Sequence, residues 1–424
     1  MNKTVSSGER TGVVCVPSSK SVAHRLLICA ALGTEPVVLR LNGISKDITA
    51  TANCLCRLGA ELNITEHEIA VLPIRKSCSG QESVHSMVEL PVGESGSTLR
   101  FLLPLVGALG RETCFHMEGR LPDRPLSPLD ELLRQHGMDI RQEKTYLYTS
   151  GRLSHGSYVL PGNVSSQFFS GLLMSLPFLS GSSYLQAEGT LQSAGYLDLT
   201  EEALEKADVV LRHPKKNCWE IPGNQQVHLP SQMDVEGDWS NAAFFLCMAA
   251  LSEPGIAVCG LKTDSRQGDR DILKILSEFG ASVSIEQNRM TVKKKNVRSF
   301  MVDAAPIPDL IPVLSVLACA AEGDTWIRNA ARLRLKESDR LRSTAQMIRD
   351  LGGCVDELAD GLIIHGCGKL RGGIVDPCND HRIAMSSAVA ATLCSEPVTV
   401  LNAECVEKSY PNFWIDLDTL EKLV

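Results

Sequence analysis

The stretch PSSKSVAHRLLICAAL, Pro17–Leu32, decides the fold, because a small polar cluster opens an apolar helix there. The same design returns five times, as GESGSTLRFLLPLVGAL (Gly93–Leu109), GNVSSQFFSGLLMSL (Gly162–Leu176), EGDWSNAAFFLCMAAL (Glu236–Leu251), APIPDLIPVLSVLACAA (Ala305–Ala321) and CNDHRIAMSSAVAATL (Cys378–Leu393). Successive helix starts are 76, 69, 75, 69 and 71 residues apart, measured between Ser21, Ser97, Ser166, Asn241, Leu310 and His381. A sixfold repeat of this length predicts six copies of one α/β unit.

Each copy is predicted to run strand, helix, strand, helix and then two more strands. In the first copy these are VVCVP, the helix from Ser21, VVLRLNG, the helix Thr49–Leu58, AELNITE and HEIAVLP. The apolar helices over 22–32, 98–109 and 167–177 carry few charges, so we expect them to be buried. Amphipathic partners should lie outside, as in Asp130–His136 and Asp271–Phe279. The predicted fold class is α/β, with three repeats closing around a bundle of buried helices in each of two domains.

Six repeats divide evenly into three and three. We expect an N-terminal domain of residues 19–233 and a C-terminal domain of residues 1–18 plus 234–424, with the active site in the cleft between them. Hinges are expected near 17–19 and 232–236, so that the N-terminal strand belongs to the second domain. Each helix start offers unsatisfied N–H groups and the positive end of a dipole, and six of them aimed at one cleft would bind anions.

Composition and charge narrow the classes of function. The net charge of −8 and the pI of about 5.8 argue against a nucleic-acid or membrane-surface binder, and 5% aromatic residues offer few platforms for base stacking. The 15 cysteines are scattered without zinc-ligand spacing. The first residues, MNKTVSSGERTG, contain no apolar segment, so we expect no secretory signal, and no stretch approaches about 18 uncharged apolar residues. We expect a cytoplasmic protein that acts on small anionic molecules without a metal ion, a cofactor or a nucleic-acid partner.

The first three helix starts carry polar and cationic residues that a plain helix does not need. Lys20 and Arg25 place cations near the first turn, where they oppose the helix dipole unless an anion binds. Gly96 lies in a hydroxyl-rich turn, and Arg124 lies in a loop stiffened by prolines. Hydroxyl and amide groups suited to phosphate oxygens occur at Ser21, Ser165, Ser166, Gln167 and Ser193. Helix capping explains some of these residues equally well, and that alternative stays open from the residues alone.

The last three helix starts are more densely charged. Asp309 stands between two prolines where an apolar helix begins, a position suited either to a cap or to a base shielded from water. The run RLKESDRL over 334–341 places Lys336 and Arg340 on one helix face beside Glu337. A solvated face is the ordinary alternative for such a run. Further charged residues follow at Asp380, His381, Arg382 and Lys408.

Assembled in order, these motifs resemble the 5-enolpyruvylshikimate-3-phosphate synthase family (3-phosphoshikimate 1-carboxyvinyltransferases) over nearly the whole chain. The element Lys336-Glu337-Ser338-Asp339-Arg340-Leu341 is the most specific, and SKSVAHR, SSQF, Arg124-Pro, Pro-Asp309 and Asp380-His381-Arg382 support it. The resemblance implies two inside-out α/β domains of three βαβαββ units each, and a monomer. It implies that the 5-hydroxyl of shikimate 3-phosphate adds to phosphoenolpyruvate, giving a tetrahedral intermediate that eliminates phosphate, in aromatic amino-acid biosynthesis.

The same resemblance implies roles for individual residues. Asp309 would be the base at the 5-hydroxyl, Glu337 the acid at the phosphoenolpyruvate methylene, and Lys20 would bridge the reacting centre. Phosphoenolpyruvate would be held by Lys20, Gly96, Arg124, Gln167, Arg340, Arg382 and Lys408. Shikimate 3-phosphate would be held by Lys20, Ser21, Arg25, Ser165, Ser166, Gln167, Ser193, Asp309 and Lys336.

Two positions depart from the family pattern, since Glu94 and Arg332 stand where the family often has Asn. Glu94 adds negative charge beside an anion site, and we expect it to pair with a nearby Arg or Lys. Because Gly96 keeps the room beside phosphoenolpyruvate, we expect the phosphonate glyphosate to inhibit.

The residues disfavour three competing interpretations. The sister enolpyruvyl transferase acting on UDP-N-acetylglucosamine is disfavoured, because Ser21 rather than Asn follows Lys20 and the loop 120–124 lacks Cys. An RNA 3′-phosphate cyclase relative is disfavoured by the acidic pI. A catalytically silent repeat scaffold is disfavoured because such a protein tends to lose buried charges that no ligand pairs, and here they survive.

Overall fold

The computed structural model describes residues 1–75, 87–286 and 289–423. By contacts the chain divides into two compact units. The N-terminal unit comprises Lys20–Leu41 and Asp47–Val235, and the C-terminal unit comprises Met1–Ser19, Asn42–Lys46 and Glu236–Val424. Among the described residues, no helix has the length and apolar character needed to cross a membrane.

The described chain alternates helices and strands throughout. The α-helices are α1 Lys20–Ala31, α2 Lys46–Arg57, α3 Gly96–Leu109, α4 Leu129–Gln135, α5 Ser166–Leu173, α6 Gly195–Lys206, α7 Trp239–Ala250, α8 Ile272–Phe279, α9 Ile311–Cys319, α10 Arg340–Asp350, α11 His381–Ala390 and α12 Phe413–Asp418. Short 3₁₀ helices are formed by Leu121–Asp123, Leu176–Phe178, Gly268–Asp271, Pro308–Leu310, Ala331–Leu335 and Ala403–Lys408.

The strands are β1 Lys3–Val5, β2 Arg10–Cys15, β3 Val37–Arg40, β4 Glu61–Ile64, β5 Glu68–Leu72, β6 Val88–Gly93, β7 Thr113–Met117, β8 Met138–Glu143, β9 Tyr146–Gly151, β10 Ser157–Pro161, β11 Ser183–Glu188, β12 Arg212–Lys215, β13 Cys218–Ile221, β14 Gln232–Asp234, β15 Ile256–Cys259, β16 Ser282–Glu286, β17 Arg289–Lys293, β18 Met301–Asp303, β19 Gly323–Arg328, β20 Cys354–Leu358, β21 Gly361–Gly366, β22 Gly373–Val375, β23 Val398–Val400 and β24 Glu421–Lys422.

The strands form six small sheets, one for each predicted repeat. The N-terminal unit holds β14-β3-β5-β4, β6-β7-β9-β8 and β10-β11-β13-β12, and the C-terminal unit holds β16-β17-β15-β2-β24, β18-β19-β21-β20 and β1-β23-β22. In a complete copy such as β6-α3-β7-α4-β8-β9, the first two strands are parallel and the hairpin that follows adds antiparallel strands. A parallel pair needs a helical crossover, which here is the apolar helix of the repeat. The predicted α/β class with three βαβαββ repeats in each half is confirmed.

One strand of the first copy is placed differently from the prediction. VVCVP was expected to open that copy, but β2 pairs in parallel with β15 in the C-terminal unit, at Val14↔Val258. The strand that accompanies α1 is instead β14, which pairs in parallel with β3 at Met233↔Leu39. VVCVP is therefore not the opening strand of the first copy, but it does lie in the C-terminal unit, where the N-terminal strand was expected. An apolar pattern predicts a strand but does not specify which sheet the strand joins.

The short segment Asn42–Lys46 also departs from the expected division, which placed it with the N-terminal residues. Asn42 donates its side-chain amide to the carbonyl of Val16 at 2.9 Å and accepts from the backbone N–H of Ser18 at 2.9 Å. These hydrogen bonds tie the segment to the chain ahead of Pro17, in the C-terminal unit.

The apolar helices form the centre of each unit. In the C-terminal unit α7, α9 and α11 pack against one another in all three pairs, and every one of their residues is buried. In the N-terminal unit α3 packs on α5, while α1 and α5 both pack on α6. The amphipathic α8 buries only Ile272, Ile275, Leu276 and Phe279. Because the apolar helices are buried along their length, their polar first turns lie at the ends of the packed bundles. There each first turn can present its hydrogen-bond donors.

We expect Gly171→Ala to destabilise the protein by about 1–3 kcal/mol, because α5 approaches α3 too closely there for a side chain. A Cβ at Gly171 would lie 2.3 Å from the carbonyl oxygen of Arg100 and 3.0 Å from Cγ of Pro104. The matched control is Gly189→Ala, whose Cβ meets nothing within 4 Å. Its only cost is the strain of placing a side chain on a backbone in the left-handed region. Urea unfolding should show the larger loss at Gly171; equal losses would contradict the close approach.

Candidate active site

In the C-terminal unit, several charged side chains cluster around Asp309, which lies on the 3₁₀ turn that precedes α9. Its Oδ1 is 2.7 Å from Nη1 of Arg340 and 3.4 Å from Nζ of Lys336, and its Oδ2 is 3.0 Å from Nη2 of Arg382. The Asp309 side chain is 19% exposed, and both arginine side chains are buried. One carboxylate is thus surrounded by three cations in a largely dry environment.

Arg340 holds this group together from the first turn of α10. Its Nε donates to Oδ2 of Asp380 at 2.8 Å, its Nη2 to Oε2 of Glu337 at 2.7 Å, and its Nη1 to Asp309. Asp380 also caps α11 by accepting from the backbone N–H of Arg382 at 3.0 Å. The planar guanidinium therefore binds three carboxylates at once, which a lysine could not do with the same geometry.

The surrounding charges set the protonation of the cluster. Burial acts to raise the pKa of Asp309, but the charges of Arg382, Lys336 and Arg340 outweigh it and hold that pKa well below the usual range. Burial lowers the pKa of Lys336, against the opposing charge of Asp309. Arg332 contributes in the same direction as burial, so this departure from the family pattern adds a cation near Lys336. In this arrangement Asp309 is ionised and strongly paired.

A second buried carboxyl group, Asp269, belongs to the same neighbourhood and was missed from the sequence. Burial, followed by the charge of Asp309, raises its pKa to about 7, while Arg382 acts in the opposite direction. Within the described residues, its Oδ1 has no hydrogen-bond partner. Its motif, Gln267-Gly268-Asp269, looks like an ordinary polar turn in the sequence, so only the folded structure identifies it.

Asp269→Asn should stabilise the protein by an amount that grows between pH 4 and pH 7. The folded-state pKa lies above the unfolded value of 3.8, so only the unfolded chain releases the proton in that window and the parent loses stability as pH rises. Three pKa units correspond to an upper limit of about 4 kcal/mol, levelling off above pH 7. Urea unfolding at several pH values measures this. The exposed Asp271→Asn is the control, and an advantage independent of pH would contradict the buried-carboxyl account.

The other site residues predicted in the C-terminal unit are also buried or half-buried. Glu337 is half-buried against Arg340, and Lys408 is buried at the end of the 3₁₀ helix Ala403–Lys408. His381 opens α11 as a buried residue, with its Nδ1 3.9 Å from Oδ1 of Asp380. Arg382 also donates to the carbonyl of Ser240 at 3.3 Å. The structure thus brings Asp309, Lys336, Glu337, Arg340 and Arg382 into one connected group of ion pairs.

In the N-terminal unit, Lys20 is the first residue of α1 and makes a specific ion pair. Its Nζ lies 2.9 Å from Oδ2 of Asp47, in the first turn of α2. Asp47 is buried, and the Lys20 side chain is only 16% exposed. Asp47 was not singled out in the sequence, where an acidic residue in a first turn is ordinary. The pair holds a cation at a helix start despite the unfavourable dipole.

Arg25 is more deeply buried than its proposed role in binding suggests. It donates to Oγ1 of Thr200 at 2.8 Å, to the carbonyl of Ser21 at 2.6 Å and to the carbonyl of Tyr196 at 2.8 Å. Burial lowers its pKa to about 10, so it stays charged at neutral pH. These bonds join α1 to the start of α6, beside the buried Ser193.

The starts of α3 and α5 are joined by a second polar group. Gln167 accepts from Nη1 of Arg100 at 2.9 Å and donates to Oγ of Ser97 at 2.9 Å. A Cβ on Gly96 would lie 2.8 Å from Nη1 of Arg100 and 2.9 Å from Nη1 of Arg124, so both guanidinium groups rest against this glycine. Ser165 caps α5 by accepting from the backbone N–H of Gln167, and Ser166 is its first residue.

A buried chain of hydroxyl groups lies behind these helix starts. His24 Nδ1 is 2.7 Å from Oγ1 of Thr51, which is 2.7 Å from Oγ1 of Thr98, and Thr98 donates to Oγ of Ser95 at 2.8 Å. Burial lowers the pKa of His24 to about 3, so the ring is neutral and structural. The chain links the N-terminal halves of α1, α2 and α3, and the spacing of these residues in the sequence did not predict it.

Glu94 is half-buried, and its side chain lies over Gly119. A Cβ on Gly119 would meet Oε1 of Glu94 at 2.3 Å, and Gly119 itself has a φ of +54°. Glu94 thus packs on the loop that leads to Arg124. Its expected pairing with an Arg or Lys stays a prediction.

Comparison with known proteins gives a consistent result along the chain. The family model for EPSP synthase (3-phosphoshikimate 1-carboxyvinyltransferase) matches residues 6–417. The 3-phosphoshikimate 1-carboxyvinyltransferase of Clostridium acetobutylicum is 41% identical over 413 residues, covering 96% of this chain and 95% of that protein. The enzyme of the same name from Clostridium kluyveri is 40% identical over 411 residues, with the same coverage of both proteins. An EPSP synthase structure from Acinetobacter baumannii has 24% identity and a TM-score of 0.80 over the full length of both chains, which shows the shared fold.

Proposed function

We propose that the two clusters described above bind and activate the substrates of enolpyruvyl transfer. The chain belongs to the EPSP synthase family, and it transfers the enolpyruvyl group of phosphoenolpyruvate to shikimate 3-phosphate. The observation that carries this proposal is the Asp309 carboxylate among Arg340, Lys336 and Arg382. Two substrates that together carry two phosphates and two carboxylates need such a concentration of cations. A cytoplasmic location and a monomeric state are further parts of the proposal.

The proposed reaction begins with addition. Asp309 accepts the proton of the 5-hydroxyl as its oxygen attacks C2 of phosphoenolpyruvate, and Glu337 delivers a proton to the methylene carbon, which becomes a methyl group. Transfer of one methyl proton back to the Glu337 carboxylate, with departure of the phosphate, then regenerates the double bond in the product. Lys20, held by Asp47, supplies positive charge at the reacting centre.

The paired state of Asp309 raises a question about its strength as a base, since a carboxylate with a low pKa accepts protons poorly. The arriving phosphate and carboxylate groups compete for Arg340, Arg382 and Lys336. Each cation that turns to a substrate weakens its hold on Asp309 and raises the pKa of that carboxyl. Substrate binding thereby prepares the base, and the ligand-free enzyme keeps it inactive.

The remaining predicted residues complete the proposal. Arg124 and Gln167, with Gly96 leaving room beside them, would bind phosphoenolpyruvate together with Lys408. Ser165, Ser166 and Ser193 would bind the phosphate of shikimate 3-phosphate, with Ser21 and Arg25 at the ring substituents. The support is that Ser165 and Ser166 lie at the start of α5 and Ser21 at the start of α1, where backbone and hydroxyl groups can donate to phosphate oxygens.

Phosphate release from phosphoenolpyruvate tests the proposal, measured with and without shikimate 3-phosphate in EDTA-treated buffer. Release that requires both substrates is expected. Release that requires UDP-N-acetylglucosamine instead would assign the sister activity, and no release with either acceptor would favour the silent scaffold. The Glu337→Gln variant should lose turnover roughly 10²- to 10⁴-fold if this residue is the acid.

A further inference from the structure

The third repeat of the N-terminal unit contains a cavity of about 450 Å³ between α6 and the β12–β13 hairpin. None of the residues that line it belongs to the substrate-binding set proposed above, although Leu191 and Ala194 flank Ser193. A cavity of this size suits a small organic molecule. The cavity is lined by acidic, basic and aliphatic side chains, and this combination indicates what kind of molecule it binds.

One wall of the cavity is a face of α6 that carries the carboxylates of Asp198 and Glu201. Ala194, Leu197, Asp198 and Glu201 recur at helical spacing and line the cavity together. Glu201 is fixed in place, because its Oε1 accepts from Nε1 of the buried Trp219 at 2.6 Å and its Oε2 lies 3.5 Å from Nε2 of His213. A carboxylate offers about four lone-pair sites, so Glu201 can still accept hydrogen bonds from a cationic group.

The β12–β13 hairpin supplies basic side chains to the cavity. Lys215 ends β12, and Lys216 follows it in the turn that Asn217 makes with a φ of +57°. Both lysines are exposed, and neither forms an ion pair with any residue that the structure describes. Leu191, together with Ala194 and Leu197 of the α6 face, adds an aliphatic surface to the same cavity. A molecule with a cation, an anion and an aliphatic body would satisfy all three.

We propose that this cavity binds an α-amino acid with an aliphatic side chain. Its ammonium group lies against Glu201 and Asp198, its carboxylate against Lys215 and Lys216, and its side chain against Leu191 and Leu197. The proposal is independent of the enolpyruvyl transfer, because it predicts binding alone. None of the residues proposed to bind phosphoenolpyruvate or shikimate 3-phosphate lines the cavity.

Isothermal titration of the full chain with L-leucine, without substrates, tests the proposal. A dissociation constant of about 1 mM or tighter is expected. 3-Methylbutylamine, which lacks the carboxylate, and 4-methylpentanoate, which lacks the ammonium group, should each bind at least about tenfold more weakly. No binding of leucine, or equal binding of either analogue, would overturn the proposal. Displacement of leucine by millimolar inorganic phosphate would reassign the lysines to a plain anion site and would also overturn it.

A matched pair of variants locates the site. Glu201→Gln removes the charge while its side-chain oxygen can still accept from Trp219, and it should weaken leucine binding about tenfold or more. Glu202→Gln removes the same charge one residue along α6, where Glu202 pairs with Lys206 at 2.6 Å outside the cavity, and should leave binding unchanged. Equal effects of the two variants would place leucine elsewhere. Unchanged thermal unfolding of both proteins establishes that they are folded.

Discussion

Asp309→Asn is expected to lower the turnover number roughly 10²- to 10⁴-fold, the contribution typical of a positioned general base. The amide has nearly the same shape but cannot take the proton of the 5-hydroxyl. It also removes the one negative charge to which Arg340, Lys336 and Arg382 are all bound. Lys336 and Arg382 then lose their pairing with that charge while Arg340 keeps Asp380 and Glu337, so the KM for phosphoenolpyruvate should stay constant or fall.

This split between turnover and KM distinguishes a base from a residue that merely holds the cluster together. Steady-state phosphate release at saturating shikimate 3-phosphate measures both parameters. The control is Asp303→Asn, an exposed carboxylate in the same segment that accepts from the backbone N–H of Ala305 at 3.0 Å, and it should turn over like the parent. A loss smaller than about tenfold, or one confined to a raised KM, would remove Asp309 from the role of base.

The repeat architecture and the family could be read from the sequence because each depends on local patterns. Six apolar helices with polar first turns, such as Pro17–Leu32, are visible at regular intervals. The pairing of β2 with β15 and of β14 with β3 could not be read in this way. β14, Gln232–Asp234, has no apolar run that would mark it as a strand, and both pairings join residues far apart in the chain, Val14 with Val258 and Met233 with Leu39.

The candidate site was predictable residue by residue but not as a network. The charged run over 334–341 predicted that Lys336, Glu337 and Arg340 are neighbours, but it did not show that Lys336 and Arg340 pair with Asp309, which lies on an earlier turn of the same repeat. Asp269 was missed because its raised pKa comes from burial and from charges on other elements. Asp47 was missed because its importance lies in its contact with Lys20. Side chains of ordinary appearance thus become functional candidates through long-range packing.

Arg340→Met is expected to cause the largest loss of stability, about 3–5 kcal/mol of the free energy of unfolding. Methionine keeps much of the volume but leaves Asp380, Glu337 and Asp309 without the cation that they share. Asp380 is fully buried, so water cannot replace the lost hydrogen bonds to it. Urea unfolding measures the loss, and it should be accompanied by lost turnover because Asp309 and Glu337 lose their positions.

A nearby arginine provides the matched control for that variant. Arg334 pairs with Asp339 at 2.9 Å and with Glu357 at 2.8 Å, but its side chain is 29% exposed. Arg334→Met should therefore cost no more than about 1 kcal/mol. In the double variant Arg340→Met/Asp380→Asn, the fully buried carboxylate is neutral as well, so part of the stability should return. If the double variant is less stable than Arg340→Met alone, the penalty does not come from uncompensated buried charge, and the role assigned here to Arg340 is wrong.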